Sequence, residues 1–219
     1  MIARVAAALL LATAVAFADG GTIRGTVKVE RPSGEPADAI LVYVVGFKEN
    51  AIAKPVVVKQ AGKRFIPDLV AVTAGGSVSF PNGDPFLHNV FSATTERAFD
   101  LGSFPQGQTR TRTFPNLGVL DVHCNIHPEM SATLVVLPNI RFTFVDASGK
   151  FTLDGVPTGT WTVFAYSRRA SQPAKAQVTV AANATSEIEL SLKELQREFK
   201  HKNKYGETYR ETTIYAPGQ

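Results

Sequence analysis

The chain is poor in sulfur. Its one cysteine is Cys124, and its two methionines are Met1 and Met130. A single cysteine rules out a disulfide within the chain, so the fold must hold without a covalent staple. An excess of one charge sign is also missing: 23 Lys and Arg against 19 Asp and Glu leave a net +4 that is dispersed along the sequence. Such a balance leaves no electrostatic footprint for nucleic acid. No apolar run reaches the roughly 20 residues that span a bilayer. No long amphipathic helix, internal repeat or low-complexity tract stands out. What remains is enough for a core: hydrophobic residues make up 44% of 219, including 14 Phe. That is material for one large domain or two small ones.

The first residues read "MIARVAAALLLATAVAFADG". Arg4 provides a positive start, Val5 to Val15 is apolar, and Ala16-Phe17-Ala18 matches the A-x-A cleavage pattern. This predicts a signal peptide over 1–18, with Asp19 first in the mature chain. The expected protein is exported, periplasmic in a bacterium or otherwise extracytoplasmic, with no integral membrane segment. Export sharpens the cysteine question, because secreted proteins normally pair their cysteines. An unpaired Cys124 could be buried core, an intermolecular bridge, a nucleophile or a metal ligand.

Almost every segment reads as strand. "TIRGTVKVE" alternates with Ile23, Val27 and Val29 on one face, and "AILVYVVG" is a short apolar run ended by Gly46. "PVVVKQ", "DLVAVTAGGSVSF", "TRTRTF", "GVLDVHC" and "ATLVVL" follow, separated by Gly, Pro and Asn. "GKFTLDGVPTGTWTVFAY" and "AQVTVAANATSEIELSL" again alternate with period two. Many short strands between turn signals predict an all-β sandwich or barrel. Only the tail, 193–219, differs. Leu192, Leu195 and Phe199 have helical spacing that Gly206 would stop, and mixed charges predict a solvated or loosely docked extension.

The chemistry concentrates in "DVHCNIHPEM", 121–130. A strand delivers Cys124 at its end, a short loop carries His127, and Met130 opens the next strand. A thiolate and an imidazole three residues apart converge on one ion when the loop curls. Two His, one Cys and a long, weak axial Met describe a blue-copper site. The second histidine should come from another strand, and "SFPNGDPFLHNVFS" supplies His88. His123 points to the opposite face of its strand from Cys124, and His201 lies in the tail, so His88 is the best candidate by elimination.

With these residues in place, 54–137 resembles the cupredoxin family of small blue copper proteins. "CNIHPEM" is similar to the short ligand loop of the amicyanin branch. "NGDPFLHNV" resembles the upstream histidine region of the plastocyanin and amicyanin group, and "RFIPDLVAVTAGGSVSFPN" its early strands. The resemblance implies one type 1 copper per chain, held by His88, Cys124, His127 and Met130, with Asn89 tying the two ligand loops together. It also implies that the edge of His127 reaches solvent through an apolar rim, here Pro85, Phe86, Leu87 and Pro128. His123 departs from the pattern, since an aromatic residue often precedes the cysteine. It could relay electrons or bind a second metal, as its equivalent does in copper nitrite reductases. The favoured reading is an exposed polar residue on the outer face.

"DASGKFTLDGVPTGTWTVFAY" resembles carboxypeptidase-regulatory or transthyretin-like sandwich modules through Gly149, Phe151, Leu153, Pro157, Gly159, Thr160 and Trp161. Such modules open with a "GTV" strand followed by a buried strand, and 22–46 fits that opening. The expected architecture is therefore a Greek-key cupredoxin sandwich, 51–137, inserted into a second sandwich made of 19–50 plus 138–192. The expected function is one-electron transfer with an unidentified redox partner protein, not catalysis. Copper delivery without electron transfer is the alternative. A thiol enzyme built on Cys124 and His127 would leave His88 and Met130 unexplained.

Overall fold

The computed structural model describes residues 20–35 and 37–209. The expected signal peptide lies outside them, as do residues 210–219 of the tail. The regular elements described are all strands, so the chain is all-β as expected. In chain order they begin with β1 (Gly21–Glu30), β2 (Leu41–Val45), β3 (Val56–Val57), β4 (Lys59–Gln60) and β5 (Phe65–Ile66). Next come β6 (Leu69–Thr73), β7 (Ser77–Pro81), β8 (His88–Ser92), β9 (Phe99–Phe104) and β10 (Thr109–Thr113). Then follow β11 (Gly118–His123), β12 (Ser131–Leu137), β13 (Phe142–Phe144) and β14 (Lys150–Val156). The last are β15 (Gly159–Tyr166), β16 (Ala174–Val180) and β17 (Thr185–Lys193).

The strand pairing is nested. β1 lies between β14 and β17, while β2 joins the sheet β13-β2-β15-β16. The strands from β3 to β12 pair with one another, in the sheets β6-β12-β11-β8-β9 and β10-β7-β3 and the small ribbon β4-β5. Asn139 sits fully buried where the chain returns to its first sheets. Its amide donates to the Val44 and Phe47 carbonyls at 3.0 and 3.2 Å, and its own carbonyl accepts from Thr73 Oγ1 at 3.0 Å.

Period-two alternation explains the packing. Val42 and Val44 of β2 point into one core with Ile23, Leu153, Val163 and Leu190. Val70 and Val72 of β6 and Leu134 and Val136 of β12 point into another, with Phe80, Leu120 and Cys124. The alternate residues of the same strands, Leu41, Tyr43, Leu69, Ala71, Val135 and Leu137, form a third apolar cluster between them. A strand buried on both faces cannot alternate apolar with polar. That is why "AILVYVVG" and "ATLVVL" read as unbroken apolar runs.

Two strands lacked a sequence signal. β9 carries Gly102 at φ 71°, and its pairing with β8 shifts register between Asn89 and Phe91. β13 is only three residues long. The helix expected around 192–206 is absent. Leu192 belongs to β17, Leu195 is exposed, and the tail is held by side chains instead of by an apolar helical face. Phe199 lies over the Arg168 guanidinium at 3.9 Å, and His201 stacks on His123 at 4.1 Å.

The nested pairing leads to an expected result for dissection. Residues 51–137, expressed alone, should fold, because their core and sheets are internal to the segment. They should also self-associate, since Leu69, Ala71, Val135 and Leu137 lose their cover. Polar replacements at Leu69 and Val135 should restore a monomer, read by sedimentation. An excised segment that stays unfolded even with those replacements would show that it folds only together with the rest of the chain.

Candidate metal centre

Three sequence elements build the site. β8 opens on His88, β11 ends just before Cys124, and the turn between β11 and β12 carries His127. Two backbone bonds curl this turn: Met130 N–H donates to the His127 carbonyl at 3.1 Å, and Cys124 N–H donates to the Met130 carbonyl at 3.2 Å. The curl brings His127 Nδ1 to 3.6 Å from Cys124 Sγ. His88 Nδ1 stands 3.8 Å from the same sulfur. All three ligand atoms lie within 4.8 Å of one another. His88 and Cys124 are fully buried, and so is Met130, which shares the core cluster of Cys124. Sequence reasoning named all four residues. The structure brings His88, Cys124 and His127 into one triangle and buries Met130 in the same core cluster as the cysteine.

The sulfur has a hydrogen-bond donor beside it. Cys124 is unpaired, and the Asn89 N–H approaches its Sγ at 3.5 Å. The Asn89 side chain accepts from the Asn125 N–H at 3.3 Å and donates to Asp100 at 2.7 Å. Asn89 therefore ties the two ligand-bearing segments together, as the family resemblance implied. Burial, and then the neighbouring His88, hold the His127 imidazole below its ordinary pKa, which keeps it neutral and able to ligate.

Several participants had no sequence signal. Asp84 is buried and lies 2.8 Å from His88 Nε2. Burial pushes its carboxyl up, but the Lys63 amide, His88 and the Gly62 amide outweigh that and hold it below the usual carboxylate range. Phe86, expected only as part of the apolar rim, also sets its ring 5.2 Å from His88 and 5.3 Å from His127, centroid to centroid. The Tyr209 hydroxyl donates to the Cys124 carbonyl at 2.9 Å, from 85 positions further along the chain. Contacts of that kind come from the path of the tail across the sheet, which no local pattern encodes.

His123 is placed differently from its favoured reading. Its side chain does point away from Cys124, but it is half-buried under the tail, between Phe91 and His201. Burial, and then His201, push its pKa down to about 4. Pro85, Phe86, Leu87 and Pro128, the residues expected to form the apolar rim, are all exposed, Phe86 at 37% and Leu87 at 49%, and Ile126, which was not expected there, is 42% exposed.

No family model matches the chain, and no curated protein does either. Among solved structures, amicyanin from Paracoccus versutus is 27% identical, with a TM-score of 0.36, over 43% of this chain and 96% of that one. A reduced tryptophan-to-tyrosine mutant of amicyanin is 25% identical, with a TM-score of 0.36, over 43% of this chain and 97% of that one. Among the described residues, no helix is long and apolar enough to cross a membrane.

Proposed function

We propose that this chain is an exported, mononuclear blue-copper protein that carries one electron at a time. The observation that supports this most is the His88–Cys124–His127 triangle backed by the buried Met130. Its two sulfur–nitrogen distances suit a small metal ion. Metal–sulfur and metal–nitrogen bonds of about 2.3 and 2.05 Å place S and N about 3.6 Å apart at a tetrahedral angle and about 3.8 Å apart at a trigonal one. The two Sγ···Nδ1 distances are 3.6 and 3.8 Å. Thiolate, two imidazoles and a soft thioether favour copper over zinc and over the hard cations.

When bound, copper would supply a one-electron Cu(II)/Cu(I) couple. The protein residues do the rest. His88 and Cys124 are held in the core, so the ligands change little between the two states. Asn89 N–H steadies the sulfur. Phe86 keeps water from the gap between the imidazoles. His127 is the ligand nearest the surface, and the exposed Phe86, Leu87 and Ile126 surround its approach. A small apolar patch around one accessible ligand suits a partner that must come close and leave quickly.

The visible spectrum of the oxidised, copper-loaded protein tests the assignment. An intense thiolate-to-copper band is expected, and copper bound without it would favour copper storage or delivery. The docking patch has its own expected result. Leu87→Glu and Pro128→Glu should slow electron self-exchange at least tenfold with the visible band unchanged. Unaltered exchange rates by NMR line broadening would move the entry point away from His127.

A further inference from the structure

We infer that Asp84 is a positioning residue for the metal: it fixes the proton of His88 on Nε2, so that Nδ1 is left free to ligate. The inference deepens the copper reading and rests on it for its consequences at the metal, though not for the tautomer itself.

The ribbon β4-β5 supplies the partner of Asp84. Its turn contains Gly62 at φ 61° and Lys63 at φ 55°. Two successive residues in the left-handed region turn consecutive N–H groups toward the same side, forming an anion-binding concavity. For Lys63 this conformation is uncommon, since a side chain crowds it. The occupant of the concavity is Asp84. Gly62 N–H donates to Oδ1 at 2.7 Å, and Lys63 N–H donates to Oδ2 at 3.0 Å. Both oxygens accept from backbone amides, and a carboxylate has no proton of its own to donate. His88 Nε2 meets Oδ2 at 2.8 Å and must therefore be the donor. A neutral imidazole carrying its proton on Nε2 has its lone pair on Nδ1. That is the atom facing Cys124 Sγ.

The segment bearing Asp84 has little freedom to drift. Asp84 N–H donates to Asn82 Oδ1 at 2.9 Å. The Asn82 amide donates to the Phe86 and Phe104 carbonyls at 2.9 and 3.0 Å. Gly83 N–H donates to the Gln60 carbonyl at 2.9 Å. A metal-bound histidine commonly donates its second N–H to a carboxylate, which orients the ring and strengthens it as a ligand. Here the arrangement stands ready in the protein alone. The carboxylate also brings a negative charge close to the metal position, which favours the more positive oxidation state. Asp84 should thus bias the site toward Cu(II) and lower the reduction potential.

The experiment uses the full mature chain. Long-range proton–nitrogen NMR on the metal-free protein should find His88 protonated on Nε2 alone. Asp84→Ala should give a mixture of tautomers, weaken Cu(II) binding by about 10–100-fold, and raise the potential of whatever copper remains bound. Asp84→Asn, which keeps the shape and removes the charge, should raise the potential as well. Lys63→Gly keeps the amide and relaxes its backbone, so it should leave the tautomer unchanged. Should Asp84→Ala fail to fold, the wild-type tautomer and Asp84→Asn still decide. A wild-type His88 protonated on Nδ1 would overturn the inference. So would an Asp84→Asn potential equal to wild type, which would leave Asp84 as a clasp for the Gly62–Lys63 turn. A wild-type protein lacking the intense copper band would instead refute the copper reading, with the tautomer result standing separately.

Discussion

Cys124→Ser should abolish both the intense visible band and tight copper binding. The band requires a thiolate donor, and a serine hydroxyl neither ionises near neutral pH nor offers a soft donor. The fold should survive, because Ser nearly matches Cys in volume. The cost is one buried hydroxyl placed where Asn89 N–H can still reach it, on the order of 1–3 kcal/mol. Met130→Leu should behave differently. The axial bond is weak, so copper should remain bound and coloured while the potential shifts. Optical titration with copper and cyclic voltammetry check both. A Cys124→Ser protein that keeps the band would remove the cysteine from the site, and with it the blue-copper reading.

Asp68→Ala should destabilise the protein by about 2–3 kcal/mol, although Asp68 is far from the ligands in sequence. Its partner Arg168 is only 3% exposed. Arg168 Nη1 donates to Asp68 at 2.7 Å, Nη2 to Ser131 at 2.9 Å and Nε to Thr133 at 3.2 Å. Arg168 follows β15, whereas Ser131 and Thr133 lie on β12, so this guanidinium ties the segment after β15 to β12. Removing the carboxylate strands a buried cation. The usual cost of that is about 3–5 kcal/mol. Asp68 is itself 47% exposed, which reduces the figure through solvent screening. Urea unfolding should show a lower midpoint with unchanged slope. Adding Arg168→Met should recover part of the loss, because the stranded charge is gone. No recovery in the double variant would mean that the hydroxyl partners matter more than the ion pair.

The neighbourhood of the ligands shows where local information ends. Cys124, His127 and Met130 were legible because they share one turn, and a turn's curl follows from its own backbone bonds. His88 was legible by elimination among four histidines and by the resemblance carried by "NGDPFLHNV". Asp84 was not. It lies four residues before His88, outside any helix, where that spacing carries no meaning. Its role depends on the Gly62–Lys63 turn, which closes on it from about twenty positions upstream. His123 and His201 are likewise neighbours only because the tail crosses β11.

Alternation and turn residues by themselves determined that this chain is all-β, because side chains on a strand must alternate faces and half-buried strands record that alternation directly. The unbroken apolar character of β2, β6 and β12 also belongs to the sequence, but its meaning does not. Only the tertiary structure decided that these strands are covered on both faces by packing against one another, since burial on a second face depends on what arrives there. The nested pairing belongs to the same class. β1 finds β14 and β17 across more than a hundred residues, a choice made by hydrogen bonds between distant edges and not by any property of "TIRGTVKVE" alone.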